Sequence, residues 1–286
     1  EDQYVIAQAN ARLDENGNGP TYWKRLIAAE EQTSTRPRLV VTYHNPVVST
    51  TTGTAWTNSR DLAWTYSDAS SHAQTHYEVD VDTSSSFTVP LDHDGPETAG
   101  ADTTFSIPGG VSLTDGTTYH WRVRVKDGTS WSAWDASSIQ WDAAAPTGGS
   151  ISVNSGATYA TSTSATLNLA ATDAHSGGIQ MQPSNDGSTG TWTTFSASPS
   201  WTLPGSDGTK TVYVRYRDGV GNTTSWLNDT IVLDTVNPSA TVAIDNGATT
   251  TYSQSVTLNI ASSDATSGVA TTKASNSSSV MCARYS

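Results

Sequence analysis

Along much of the chain, apolar and polar side chains alternate with a period of two. Ala165, Leu167 and Leu169 fall on one side of a run whose other side is Thr166 and Asn168. Leu62, Trp64 and Tyr66 alternate in the same way, as do Tyr77, Val79 and Val81. In TTYHWRVRVKDG, residues Tyr119, Trp121, Val123 and Val125 form the apolar side and His120, Arg122 and Arg124 the polar one. Successive side chains of a strand point to opposite faces, so these runs predict half-buried β-strands.

One pattern occurs twice. SISVNSGATYATSTSATLNLAATDAHSGG begins at Ser150 and TVAIDNGATTTYSQSVTLNIASSDATSGV at Thr241, with a period of 91 residues, the separation of Asp173 from Asp264. Val256, Leu258 and Ile260 repeat the apolar face of the first copy. A period of this length suits tandem sandwich domains and is too long for a solenoid. The junctions repeat as well. WDAAAP at 141–146 and LDTVNP at 233–238 each place Asp four residues before Pro, as expected of short, stiff linkers. Boundaries near 45, 144 and 237 follow, dividing the chain into 1–45, 46–143, 144–236 and 237–286. The second copy stops matching the first near Asn276, so the last domain is expected to be incomplete. With Glu1 in place of an initiator Met, the chain reads as a fragment of a longer protein.

Composition supports an all-β reading. Only 14% of residues are charged, and Thr, Ser, Gly and Asn supply most of the polarity, a mixture suited to short strands and turns. Ten Trp and eleven Tyr supply bulk for thin cores. A net charge of −13 lacks the basic footprint that phosphate backbones require, so nucleic acid is not an expected partner. Cys282 is the single cysteine, which excludes an intrachain disulfide framework. No run of 18 apolar residues is present to span a membrane.

Three stretches resemble known families. LTDGTTYHWRV is similar to the tyrosine corner of fibronectin type III domains: Leu113, Thr117, Tyr119, Trp121 and Val123 match its spacing, and Asp115 replaces the usual Pro. That resemblance implies a structural role for Tyr119, its hydroxyl closing the corner onto nearby backbone. DGTKTVYVRYRDGVGN at 207–222, followed by DTIVLDTVNP, resembles bacterial immunoglobulin-like repeats of large secreted or cell-surface proteins. YWKRLIAAEEQTSTRPRLVVTYHNP resembles the end of a DNRLRE domain, although the naming hexapeptide is absent. The expected fold is therefore a row of tandem immunoglobulin/fibronectin-like β-sandwiches with incomplete domains at both ends.

The chemistry-bearing candidates each have a structural alternative. DAHS places Asp173, His175 and Ser176 within four positions, the letters of a hydrolase triad. The second copy reads DATS, with Thr266 where the base would be, so the motif reads as a turn whose Asp bonds its own backbone. Asp14, Asn16, Asn18 and Gly19 open a calcium-loop pattern, but Arg25 stands where the twelfth-position Glu belongs, and an Asn/Gly-rich turn is preferred. Asp173, Asp218 and Asp234 are candidate junction ligands for Ca2+, as the resemblance to bacterial immunoglobulin-like adhesin arrays implies; solvated loop acids are the alternative. Trp131 and Trp134 in GTSWSAWD, with Arg122 and Arg124 nearby, resemble the W-S-x-W-S box of cytokine-receptor fibronectin domains. They read either as a Trp/Arg ladder or as a sugar platform. The six histidines, at 44, 72, 76, 93, 120 and 175, read as scattered loop or surface residues; His72 and His76 are four apart but precede a strand rather than sit on a helix.

No nucleophile elbow, zinc-helix motif or phosphate-binding loop is present, so no enzyme is expected within these residues. The function expected is a non-catalytic spacer or adhesive array of a secreted or surface-attached bacterial protein. Its partners would be the neighbouring domains of the same longer chain, with surface glycan or protein as further candidates and no required cofactor. The alternative is an accessory carbohydrate-binding region of an extracellular glycan-active enzyme.

Overall fold

The computed structural model describes residues 44–275. The DNRLRE-like stretch up to Tyr43, the Asp14–Gly19 loop and the end of the chain from Asn276 lie outside the described residues. The chain divides into two compact units, the first ending at Trp141 and the second starting at Asp142. Among the described residues there is no α-helix, only two single 3-10 turns.

The first unit contains β1 (Val47–Thr50), β2 (Trp56–Thr57), β3 (Asp61–Ser67), β4 (His76–Asp82), β5 (His93–Asp94), β6 (Thr98–Ala99), β7 (Thr104–Ser106), β8 (Thr118–Lys126) and β9 (Asp135–Trp141). One sheet has the order β1-β3-β7 and the other β2-β9-β8-β4-β5, with β6 paired to β4. Their apolar faces meet in a single core. Leu62 and Trp64 from the small sheet pack with Val79, Val81, Tyr119, Trp121, Val123, Val125 and Ile139 from the large one. Along β8 every second residue is buried, as the alternation requires. Tyr119 is buried at the end of the core, where its hydroxyl accepts the Thr114 N–H at 2.8 Å.

The second unit repeats this architecture with β10 (Thr147–Val153), β11 (Tyr159–Ala160), β12 (Ser164–Thr172), β13 (Gln180–Ser184), β14 (Thr193–Thr194), β15 (Ser200–Thr202), β16 (Gly208–Arg217) and β17 (Leu227–Leu233). Its sheets are β10-β12-β15 and β11-β17-β16-β13-β14. Val153, Leu167 and Leu169 face Met181, Val212, Val214, Tyr216 and Ile231 across the core. A further hairpin, β18 (Ser239–Ile244) and β19 (Leu258–Ser263), forms its own two-stranded sheet in this unit. Tandem immunoglobulin/fibronectin-like β-sandwich is the fold class.

Candidate functional site

In each sandwich an acid-anchored turn leaves the strand of the small sheet and a second one leaves the central strand of the large sheet. In the second unit, Asp173 follows β12 and its Oδ1 accepts the N–H groups of His175 and Gly177, each at 3.0 Å. Asp218 follows β16; its Oδ1 accepts the N–H groups of Val220, Gly221 and Asn222 at 2.6–3.0 Å. Its Oδ2 accepts the Asn222 side-chain amide at 2.8 Å. The turns approach so closely that a Cβ on Gly219 would lie 3.0 Å from the Ser176 carbonyl oxygen. Any larger residue there would push the two turns apart by a few tenths of an ångström.

Asp142 joins these two. It is fully buried, at 0% exposure, and its carboxylate accepts the Ser176 N–H at 3.0 Å and the Ala144 N–H at 3.2 Å. Asn222 returns a bond from its side-chain amide to the Asp142 carbonyl at 3.0 Å. The carboxylates of Asp142, Asp173 and Asp218 then lie within 4.8 Å of one another. Of the expected Asp173, Asp218 and Asp234, the first two lie together here, and the third carboxylate beside them is Asp142 of the WDAAAP junction. Asp234 occupies the corresponding place in the next repeat. It is buried, lines an open cavity of about 260 Å³ with Ser267 and Gly268, and has an Oδ2 without a hydrogen-bond partner. There Asp264 takes the turn position, and the N–H of Ser267 foremost, with those of Thr266 and Gly268, holds its carboxyl below the usual range.

The hydrolase letters do not assemble. The Ser176 hydroxyl is buried without a hydrogen-bond partner, so it makes no nucleophile–base pair with His175.

The first unit carries the same pair of turns as Asp68, after β3, and Asp127, after β8. Asp68 Oδ1 accepts the Ser70 N–H at 2.6 Å and the His72 N–H at 3.3 Å. Asp127 Oδ1 accepts the N–H groups of Thr129 and Ser130, both at 2.8 Å. The sequence differs at the decisive positions. Trp131 stands where the second unit has Asn222, and His72 stands where it has Gly177. His72 Nδ1 consequently lies 3.8 Å from both Asp68 Oδ1 and Asp127 Oδ2. Reading the histidines as scattered missed this grouping; aligning D-A-S-S-H with D-A-H-S-G would have exposed it.

On the solvent face of the large sheet, the aromatic and basic side chains intercalate. Arg122 lies 4.6 Å from the Phe87 ring centroid and 4.3 Å from that of Trp134. Arg124 lies 4.7 Å from both Trp134 and Trp131, and Lys126 lies 5.5 Å from Trp131. Each Trp ring is therefore flanked by two cations, and every cation faces a cross-strand or neighbouring acid. Arg122 Nε donates to Asp80 at 2.8 Å, Arg124 Nε to Glu78 at 2.8 Å and Lys126 Nζ to Glu97 at 3.1 Å. A second ladder, not anticipated from sequence, occupies the same face of the second unit. Arg215 lies 4.6 Å from Trp226 and Arg217 4.5 Å from Trp192. Here Gln182 and Gln180 replace the acids, accepting from Arg215 Nε at 2.5 Å and Arg217 Nε at 2.7 Å. Both ladders follow from strand periodicity, which puts basic residues at every second position on one face.

Residues 47–144 match the family model of the Rha78A-like, N-terminal immunoglobulin domain, which covers roughly a third of the chain. No curated protein matches the chain. Similar solved structures include the FN1–FN3 domains of chicken CNTN1, at 14% identity over 72% of this chain and 76% of that one, with a TM-score of 0.42. The fibronectin(III)-like modules of Clostridium thermocellum CbhA give 11% identity over 65% and 93%, with a TM-score of 0.40. Streptomyces avermitilis α-L-rhamnosidase, complexed with L-rhamnose, gives 14% identity over 65% of this chain and only 24% of that one, with a TM-score of 0.34. The family match falls on an immunoglobulin domain and not on a catalytic one. Among the described residues, no helix is long and apolar enough to cross a membrane.

Proposed function

We propose that the chain is a non-catalytic run of sandwich domains that spaces and presents other parts of a larger extracellular bacterial protein. The observation that carries this reading is Asp142. The residue before it, Trp141, is the last of β9, and its carboxylate is already bonded to the Ser176 turn of the second unit. The second sandwich thus begins in the residue after the first one's last strand, as tandem domains of a spacer would. The ladders favour the same role, because their rings are engaged with cations rather than left bare.

The test is a distance distribution between spin labels at Thr54→Cys and Thr191→Cys in a Cys282→Ser background. One narrow distribution is expected, broadening in Asp142→Ala. A broad distribution before that substitution would sink the spacer reading.

The family match at 47–144 favours a second reading, an accessory region of a glycan-active enzyme. Polysaccharide retention that disappears in Trp131→Ala/Trp134→Ala, with the melting temperature unchanged, would support it over the first.

A further inference from the structure

The two acid-anchored turns of the first unit form a better cation site than their counterparts in the second. In both units the acids accept backbone N–H groups, but in the second the Asn222 amide also covers the free oxygen of Asp218. In the first unit the side chains of Asp68 and Asp127 are 1% and 0% exposed, so two carboxylates are buried beside one another. Asp68 Oδ2 is buried and has no hydrogen-bond partner. Two dehydrated carboxylates with converging oxygens repel one another, and each gains if a cation is shared between them.

We propose that Asp68, His72 and Asp127 form a divalent transition-metal site, with zinc as the ion that fits its donors. The three ligand atoms lie within 4.8 Å of one another, with both histidine–carboxylate separations at 3.8 Å. A point equidistant from such atoms is about 2.2–2.5 Å from each, so inward movement of a few tenths of an ångström gives zinc–nitrogen and zinc–oxygen lengths near 2.0–2.2 Å. One imidazole with two carboxylates is a borderline donor set, better suited to zinc than to calcium, which takes six or more oxygens. The His72 side chain is half exposed, which provides an entry path and leaves room for water as a fourth ligand. The turn N–H groups hold both carboxylates through their Oδ1 atoms, so Asp68 Oδ1 and Asp127 Oδ2 face His72 Nδ1 before the ion arrives.

The test is zinc titration of the full chain by calorimetry in a Cys282→Ser background, which removes the one thiol. The site predicts one zinc bound through His72, with affinity falling at least about tenfold in His72→Ala and in Asp68→Asn. Asn at position 68 keeps an oxygen for the turn N–H groups, so the fold survives. His175→Ala, on the equivalent turn of the second unit, should change nothing. Zinc should also raise the melting temperature of the starting protein but not of His72→Ala. Absence of zinc binding, or binding that is indifferent to His72→Ala, would overturn the proposal.

Discussion

The repeated segment appears once beneath a second sheet and once without one. In the covered copy, Ile151 pairs with Leu169 and Val153 with Leu167; in the other, Val242 pairs with Ile260 and Ile244 with Leu258, the same register 91 residues on. Even the turns agree. Asn154 and Ser155 have φ of 48° and 58°, and Asp245 and Asn246 have 47° and 58°. The Oδ1 of Asn154 accepts the Thr166 N–H at 2.8 Å, as the Oδ1 of Asp245 accepts that of Thr257 at 2.7 Å. Burial is what differs. Leu167 is 0% exposed and Leu258 44%, because among the described residues no large sheet lies over β18–β19. Local geometry therefore survives without the core, and stability should not.

The sharpest way to break this comparison is to shave the same leucine in both copies. Leu167→Ala should cost about 2–5 kcal/mol in chemical denaturation of the second unit, while Leu258→Ala stays within about 0.5 kcal/mol. Equal losses would mean that β18–β19 is covered in solution.

Alkaline pH probes the covering sheet. Tyr216 is fully buried against β10, donates its hydroxyl hydrogen to the Ser150 carbonyl at 2.6 Å and has its pKa pushed up by burial to about 12. The folded state binds the proton more tightly than the unfolded one. Stability is thus complete below the ordinary phenol value of 10 and falls as the pH rises from there towards 12, by up to about 2–3 kcal/mol. Tyr216→Phe should remove that alkaline loss from the unfolding curve.

The smallest effect concerns the turns. Asp173→Ala strips two N–H groups of their acceptor beside a packed partner turn and should destabilise by about 1–2 kcal/mol. Asp264→Ala should shift global unfolding by less than about 0.5 kcal/mol, since its hairpin adds little buried core. Thermal melts of the pair distinguish the two.

The two complete sandwiches diverge in a second way. Both stack arginines on tryptophans, but the first neutralises them with Asp80 and Glu78 and the second solvates them with Gln182 and Gln180. Desolvated charge is thereby balanced by charge in one and by dipoles in the other. The W-S-x-W letters made the first ladder legible. The second was not, because Trp192 comes from a loop that pairs with β16 only through β13 and its neighbours. Asp142 was missed for the same reason, appearing in sequence as a linker residue and in space as the third carboxylate of a turn cluster.

The sequence by itself determined the strands, their inward faces, the repeat and the turn that Asp173 and Asp264 anchor. All of these depend on side-chain period and on bonds between residues close along the chain. The tertiary structure alone decided which acids meet. Asp68 and Asp127 end strands of different sheets, and their turns converge only when both sheets close on one core. It also decided that His72 falls between them, whereas in the second unit the Asn222 amide bonds Asp218 and the Asp142 carbonyl. Such juxtapositions depend on long-range packing, to which a local pattern carries no pointer.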